Sequence, residues 1–160
     1  YGQKNDRNMI KLIKYIDKSL FIPIIGNGKS LQQPVFVRDL AWSIVESFQN
    51  QSTIHKEINI SGGDSLTFNQ VIDIIAEGLG KKIFKLYIPK FPIICLMKIL
   101  ENFLNLRLPI KSEQFERLNE DKNFSYTYAK KLLNYSPLNF EEGIGIEILN
   151  YKKDNKYYSR

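Results

Sequence analysis

The stretch PIIGNGKSLQQPVFVRDLA, residues 23–41, decides the fold class because it combines two strand patterns with the start of a helix. The apolar residues 23–25 end at a Gly-Asn-Gly sequence that is typical of a tight turn. Residues 33–37 form a second predicted strand. Asp39 is then expected to cap a helix that runs to about Gln49, with apolar residues along one face. Strand, turn, strand and helix in this order indicate an α/β unit.

The same alternation continues on both sides of this stretch. A helix is predicted from about residue 9 to residue 20, and either Asp6 or Asn8 can cap its start. Further along the chain, Thr67 and Gln70 form a capping-box pattern. The sequence therefore predicts a helix-rich α/β fold with a few short strands and about six helices. The remaining predicted elements are a strand at 57–61, a helix at about 68–78 that ends at Gly80, a strand at 82–88, and helices at about 92–106, 112–119, 127–134 and 139–152.

The composition is that of one soluble globular domain, since 43% of the 160 residues are hydrophobic and 25% are charged. The single cysteine, Cys95, and the single histidine, His55, exclude a disulfide framework and a Cys- or His-rich metal site. No metal site is expected, and a reducing, cytoplasmic setting is the default. Because the sequence does not begin with Met, we expect it to be a piece of a longer protein.

The formal net charge is +6, and residues 152–160 contribute much of it. We interpret these residues as a solvated basic tail. The arginines are scattered rather than clustered with aromatic residues, so binding to nucleic acid is not expected. The apolar segment 92–106 is shorter than a membrane-spanning helix and could lie on a membrane surface, but burial within a larger protein is the favoured interpretation.

Familiar motifs of catalysis and nucleotide binding are missing from the sequence. It contains no phosphate-binding P-loop, no HExxH zinc motif and no GxSxG nucleophile elbow. The turn at 26–28 lacks the third glycine of a dinucleotide-binding loop. The Ser-Gly-Gly-Asp at 61–64 has the form of a phosphate site between a strand and a helix, but a tight turn that needs glycine for positive φ is favoured. The residues alone therefore indicate an α/β domain without a complete catalytic constellation.

Four stretches, in the same order along the chain, give the sequence a family likeness. Together they resemble the C-terminal portion of extended short-chain dehydrogenase/reductase proteins, in the nucleotide-sugar epimerase and dehydratase group. The likeness covers about residues 1–151. The stretches are Tyr1-Gly2 with Asp6-Arg7-Asn8-Met9; 23–28 continuing through 33–41; 57–63 with Thr67; and Asp121 with 129–137 and 141–144.

The resemblance implies that residues 1–151 are the substrate-binding portion of such a protein, followed by the basic tail at 152–160. In the family, the NAD(P)-binding glycine loop, the catalytic Ser or Thr and the Tyr-x-x-x-Lys pair lie upstream of this portion. Tyr126 and Lys130 have the spacing of that pair but stand in the wrong place for it. The resemblance therefore implies no catalytic and no cofactor-binding residue in this chain, a missing N-terminal Rossmann half, and NAD or NADP in the full-length parent.

Substrate-binding residues are implied by the resemblance position by position. Asn8 matches a family Asn near the substrate diphosphate, and Ile24 and Ile25 match a short strand that packs beside the nucleotide base. Gln32 stands where many members have an Arg on the diphosphate, and glutamine cannot supply that charge. Arg117 lies near a second family Arg, whose planar guanidinium would pair with two phosphate oxygens. An exposed arginine on a helix face is the alternative for Arg117.

The leading hypothesis is therefore the substrate-binding half of an NAD(P)-dependent nucleotide-sugar epimerase, dehydratase or 4-keto reductase, inactive as an isolated fragment. Its ligand would be a nucleotide-sugar. The alternatives are a basic module that binds nucleic acid and a membrane-peripheral module that uses segment 92–106 and the basic tail, which would suit polysaccharide biosynthesis. A sheet edge without its neighbouring strand favours self-association, so a homodimer or a swapped assembly is expected.

Overall fold

The computed structural model describes residues 1–3, 6, 8–92 and 120–158, and its fold is helix-rich α/β, as the sequence predicts. The helices predicted at 92–106 (from residue 93 onward) and 112–119 lie outside the described residues. In chain order the elements are α1 (Met9–Lys18), β1 (Phe21–Ile25), β2 (Leu31–Gln32), α2 (Val37–Gln49), a 3-10 helix (Gln51–Thr53), β3 (Leu66–Thr67), α3 (Phe68–Leu79), β4 (Phe84–Ile88), α4 (Thr127–Leu133) and α5 (Phe140–Tyr158).

The core lies where α1, α3 and α5 pack around β1. Each helix carries apolar residues three or four positions apart, which places them on one face. Strand β1 alternates exposed and buried residues and directs Ile22 and Ile24 into the core. Removing one such isoleucine side chain from water stabilises the fold by about 1.5–3 kcal/mol. The helix residues buried here include Ile13 and Ile16 of α1, Val71, Ile72 and Ile75 of α3, and Ile144 and Ile148 of α5.

Segments between the helices form two small sheets of two strands each. Strands β1 and β4 pair in parallel along their whole length, starting with Phe21 opposite Phe84. Strands β2 and β3 pair antiparallel. The turn predicted after β1 is confirmed, since Gly26 and Gly28 have φ angles of 80° and 63°. This left-handed conformation is accessible to glycine at no steric cost.

Both predicted ends of α3 are confirmed. The Thr67 hydroxyl accepts a hydrogen bond from the Gln70 N–H at 3.2 Å, and the Gln70 side chain accepts one from the Thr67 N–H at 2.8 Å. These two bonds satisfy backbone donors that have no partner within the helix. At the other end, Gly80 adopts φ 72° and donates to the Glu77 carbonyl at 2.8 Å.

The strand predicted at 33–37 is wrong, because β2 contains only Leu31–Gln32. Two properties of the chain explain the early end. Pro34 has no N–H to donate to a ladder. The side chain of Gln33, rather than its backbone, makes the hydrogen bonds to neighbouring segments.

The start of α2 also differs from the prediction. The helix begins at Val37, after Phe36 in an extended conformation, and Phe36 makes no side-chain cap bond. Asp39 therefore lies in the first turn instead of capping it. Its carboxylate accepts a hydrogen bond from the Leu138 N–H at 2.9 Å, which ties α2 to the segment before α5.

The strand predicted at 57–61 is not formed in the part of the chain that the structure describes. Residues 57–61 are irregular there and belong to no ladder. Ile58 and Ile60 instead pack against the small cluster of Ala129, Leu133 and Tyr135. The apolar alternation is thus real, but it serves side-chain packing, because no described strand lies beside it to share backbone hydrogen bonds.

The glycines at 62 and 63 are needed for close approach and not, as predicted, for positive φ. A Cβ atom on Gly62 would collide with the Pro34 carbonyl oxygen. One on Gly63 would lie 3.0 Å from the Leu138 carbonyl oxygen. The segment therefore passes between two other parts of the backbone with no room for a side chain.

The C-terminal helices largely follow the sequence. Helix α4 ends at Leu133, and the following Asn134 caps it in the left-handed conformation with φ 54°. The Asn139 side chain accepts from the Glu142 N–H at 2.8 Å, as the capping pattern predicts. Helix α5 continues to Tyr158, beyond the predicted end near residue 152. The division into residues 1–151 and a tail at 152–160 stays a prediction.

Candidate functional site

A groove of about 700 Å³ opens between the start of α1, strand β2, the start of α3 and residues 122–124. Its apolar residues include Met9, Leu12, Phe68 and Val71, contributed by α1 and α3. These residues partly face the core, so the groove is bordered by the two helices that also build the fold. A rigid border of this kind can hold a ligand without reorganisation of the chain.

Residues 121 and 122 form one wall of the groove because their backbone is bonded to β2. The Asp121 carboxylate accepts from the Leu31 N–H at 2.8 Å, and the Lys122 N–H donates to the Leu31 carbonyl at 2.7 Å. Lys122 and Gln32 also form an isolated parallel bridge. Two segments far apart in the sequence thus meet at a single point of β2.

The Gln33 side chain connects this wall to the glycine segment. Its amide nitrogen donates to the Gly62 carbonyl at 2.9 Å, and its amide oxygen accepts from the Phe124 N–H at 2.7 Å. The Ser61 hydroxyl completes the connection by donating to the Phe124 carbonyl at 2.8 Å. Both ends of the Gln33 amide are therefore used structurally, and this side chain positions the wall.

Two of the residues predicted to bind substrate line the groove, Asn8 and Gln32. The Asn8 side chain makes no cap bond to α1. That task falls to Asp6, whose carboxylate accepts from the N–H groups of Asn8 at 2.6 Å and Met9 at 3.1 Å. The Asn8 amide is consequently available to a ligand.

The other predicted substrate residues lie elsewhere. Ile24 is 1% exposed and belongs to the core beneath β1. Ile25 is half-buried at the end of the same strand and does not line the groove. Arg117 lies outside the described residues.

Sequence reasoning missed the two cationic side chains of the groove, Lys11 and Lys122. Lys11 follows Asn8 by less than one helical turn. This spacing is the sequence signal that could have placed Lys11 beside the predicted site. No local pattern marks Lys122, because it reaches the groove only through the hydrogen bonds between its segment and β2.

A second opening of about 410 Å³ adjoins the groove and shares Asn8, Met9, Pro34 and Val35 with it. Tyr1, Gln3 and Asp6 line its far side. The two openings therefore meet at the start of α1 and are together called the cleft. A separate apolar groove of about 510 Å³ lies between α2 and the 3-10 helix.

A buried carboxylate lies near this cleft. Glu147 of α5 is 3% exposed, and neither of its oxygens has a hydrogen-bond partner among the described residues. Burial, followed by the negative charge of Asp6, raises the pKa of Glu147 to about 7, and the positive charge of the Tyr1 amino group, followed by the nearby Gly2 N–H, offsets this only in part. Burial likewise raises the pKa of the Tyr1 hydroxyl, with Asp39 and Glu147 adding to the effect.

Two negative findings complete the description of this part of the chain. Within the described residues, no three His, Cys, Asp or Glu side chains are grouped closely enough to hold a metal ion. In the same residues, none of the helices combines the length and the apolar character required for crossing a bilayer.

The chain is similar to part of several known proteins, although no protein-family model matches it. Over 152 residues it is 25% identical to a UDP-glucuronate 4-epimerase of Thermodesulfobacterium geofontis, and the match covers 94% of this chain and 39% of that protein. It is also 25% identical, over 138 residues, to the mitochondrial NADH dehydrogenase [ubiquinone] 1 alpha subcomplex subunit 9 of Arabidopsis thaliana, with 86% of this chain and 34% of that protein covered.

A solved structure shows the same fold. The UDP-glucuronic acid 4-epimerase of Bacillus cereus, in complex with NAD, superposes with a TM-score of 0.61 at 21% identity. The superposition covers 93% of this chain and 42% of the epimerase. The chain thus has the fold of part of a Rossmann-like epimerase, as the sequence predicts, and spans less than half the length of each of these proteins.

Proposed function

We propose that this chain is the substrate-binding, C-terminal portion of an NAD(P)-dependent nucleotide-sugar epimerase, dehydratase or 4-keto reductase. The observation that carries the proposal is the groove, because it brings Asn8 and Gln32 together from separate elements of the chain. These are two of the positions that the family resemblance assigns to the substrate. The shared fold with an NAD-bound UDP-glucuronic acid 4-epimerase supports the same conclusion.

The chemistry of the groove suits a nucleotide-sugar. Such a ligand combines apolar ring faces with hydroxyl groups and two negatively charged phosphates. Phe68 and Phe124 offer apolar surface, Asn8 offers both a donor and an acceptor, and Lys11 offers positive charge. An apolar pocket with a few convergent polar groups is the usual form of a small-molecule site.

Catalysis in this proposal needs the part of the protein that the chain does not cover. More than half of the length of the similar epimerases lies outside the match. NAD(P) and the groups that move protons and hydride would come from that portion. The isolated chain would then bind substrate weakly and turn over none.

Titration of the ¹⁵N-labelled chain with UDP-glucuronate tests the proposal. Amide shifts are expected at Asn8, Gln32 and Phe124, with the apolar groove between α2 and the 3-10 helix unaffected. Asn8→Ala should weaken binding about threefold, the effect of losing one exposed hydrogen bond. Asn59→Ala is the matched control, because Asn59 is exposed and lies outside the groove. Saturable shifts elsewhere, or none at millimolar ligand, would contradict the proposal.

Inactivity of the isolated chain is measured separately. UDP-glucuronate and NAD are incubated with the chain, and the sugar products are separated by chromatography. No epimerised, dehydrated or reduced sugar is expected. Turnover above that of a heat-denatured sample would show that the chain carries its own catalytic groups.

A further inference from the structure

We infer that Lys122, together with Lys11, supplies the positive charge that holds the diphosphate of the ligand in the groove. This inference rests on the proposed function and extends it to residues that the family resemblance does not assign. Gln32 carries no charge, yet the residue placed beside it across the parallel bridge is a lysine. The cation therefore reaches this point of β2 from a neighbouring segment.

The two lysines approach the groove from different sides. Lys11 belongs to α1, and Lys122 belongs to the wall bonded to β2. Among the described residues, neither forms an ion pair with a carboxylate. Asp121, the acid next to Lys122 in sequence, accepts its hydrogen bond from the Leu31 N–H. Positive charge is thus left available to a ligand between the two sides.

Hydrogen bonds hold the backbone on both sides of Lys122. At one end the Leu31 N–H donates to the Asp121 carboxylate and the Lys122 N–H donates to the Leu31 carbonyl, and at the other end the Phe124 N–H donates to the Gln33 side chain. Binding would then have to order only the lysine side chain. This lowers the entropic cost of using a long, flexible cation.

The ligand class follows from the chemistry of the two ammonium groups. A lysine ammonium is a compact charge with three donors, and it binds phosphate as a point charge instead of through a planar fork. Two lysines on opposite sides match two adjacent phosphates better than a single carboxylate. We therefore assign the diphosphate bridge of the nucleotide-sugar, and not the sugar, to this end of the groove.

The test compares Lys122→Gln and Lys11→Gln with Lys130→Gln in the same chain. Lys130 is exposed on α4 and does not line the groove, so it controls for the loss of one charge. The probes are UDP-glucuronate, inorganic pyrophosphate and uridine, followed by amide shifts. Each groove variant should weaken binding of the two phosphate-bearing probes about fivefold, the upper range for a partly exposed ion pair, and Lys130→Gln less than twofold. Uridine binding should not change.

The outcomes separate this inference from the proposed function. If UDP-glucuronate binds in the groove and the three variants bind it equally, the lysine assignment is wrong and the proposed function stands. If pyrophosphate binds through the two lysines but UDP-glucuronate binds no better than pyrophosphate, the lysine assignment stands and the proposed function is wrong. If no phosphate-bearing probe shifts the groove amides, both are wrong. Spectra that superpose outside the groove show that each variant is folded.

Discussion

At the scale of single residues, the buried Glu147 makes the stability of the chain depend on pH. Its pKa is raised to about 7 in the folded chain, above the ordinary value of a glutamate. The folded state therefore binds this proton more tightly than the unfolded state. The stability that results is complete below about pH 4.5 and is lost as the pH rises through about 7.

Glu147→Gln should remove this pH dependence, because glutamine keeps the shape without the ionisation. The free energy of unfolding of the unmodified chain should fall by about 2–3 kcal/mol between pH 5 and pH 8. The variant should be nearly flat over that range and more stable at pH 8. Urea unfolding at the two pH values measures both slopes.

The control for this prediction is Glu77→Gln, which changes an exposed glutamate of α3. It should retain the pH slope of the unmodified chain. Equal slopes for the unmodified chain and Glu147→Gln would show that Glu147 does not titrate near neutral pH in the folded state.

At the scale of elements, side-chain hydrogen bonds hold segments of the chain together where the strands are short. Strands β2 and β3 are two residues long, and much of the groove wall depends on the single side chain of Gln33. A hydrogen bond of this kind contributes about 1 kcal/mol, and leaving a buried partner unpaired costs more. The part of the wall around Phe124 therefore depends on Gln33, while residues 121–122 are held by Leu31.

Gln33→Ala should loosen residue 124, whereas the bonds between Leu31 and residues 121–122 stay in place. Loss of two hydrogen bonds should lower the free energy of unfolding by about 1–3 kcal/mol. The Phe124 amide should exchange with solvent at least tenfold faster, as hydrogen-exchange NMR can measure. Gln49→Ala, at an exposed position of α2, is the control. Unchanged protection of the Phe124 amide in Gln33→Ala would contradict this account of the wall.

The start of α3 gives a second prediction at this scale. Thr67→Ala removes the hydroxyl of the capping box and should destabilise the chain by about 1 kcal/mol. Thr67→Ser keeps the hydroxyl and should recover most of that loss. The urea unfolding midpoints of the unmodified chain and the two variants measure this effect. Equal midpoints for the alanine and serine variants would show that the hydroxyl of the capping box does not stabilise the chain.

The elements also show which structures a local sequence pattern can predict and which it cannot. Helix α3 was predictable because its periodicity, its capping box and Gly80 are local signals. The strand at 57–61 has an equally good local pattern, but a strand needs a neighbour, and that neighbour is not a property of the segment itself. Lys122 joins the groove for the same kind of reason, through contacts with β2 that no spacing encodes.

At the scale of the whole molecule, the described surface carries apolar side chains that a monomer would expose to water. They occur on α2 and on β4, where Leu86 is 56% exposed. In the described residues, β4 pairs only with β1, so one of its edges has no neighbouring strand. Exposed apolar side chains beside an open strand edge favour association with another chain.

The isolated chain should therefore self-associate, as the sequence also predicts. Light scattering after size exclusion should give a mass above 18.7 kDa that rises with concentration. Leu86→Lys places a charge on the edge strand and should shift the chain toward monomer. Leu149→Lys, at a 60% exposed position of α5, is the matched control. A monomer of the unmodified chain at every concentration would contradict the expectation.

The bonds between Leu31 and residues 121–122 also determine when the groove can form during protein synthesis. They join positions 90 residues apart, so the groove cannot be complete while the ribosome is still synthesising the middle of the chain. During that interval the groove lacks Lys122 and Phe124, which line one side of it. The complete groove therefore forms only after synthesis has passed residue 124.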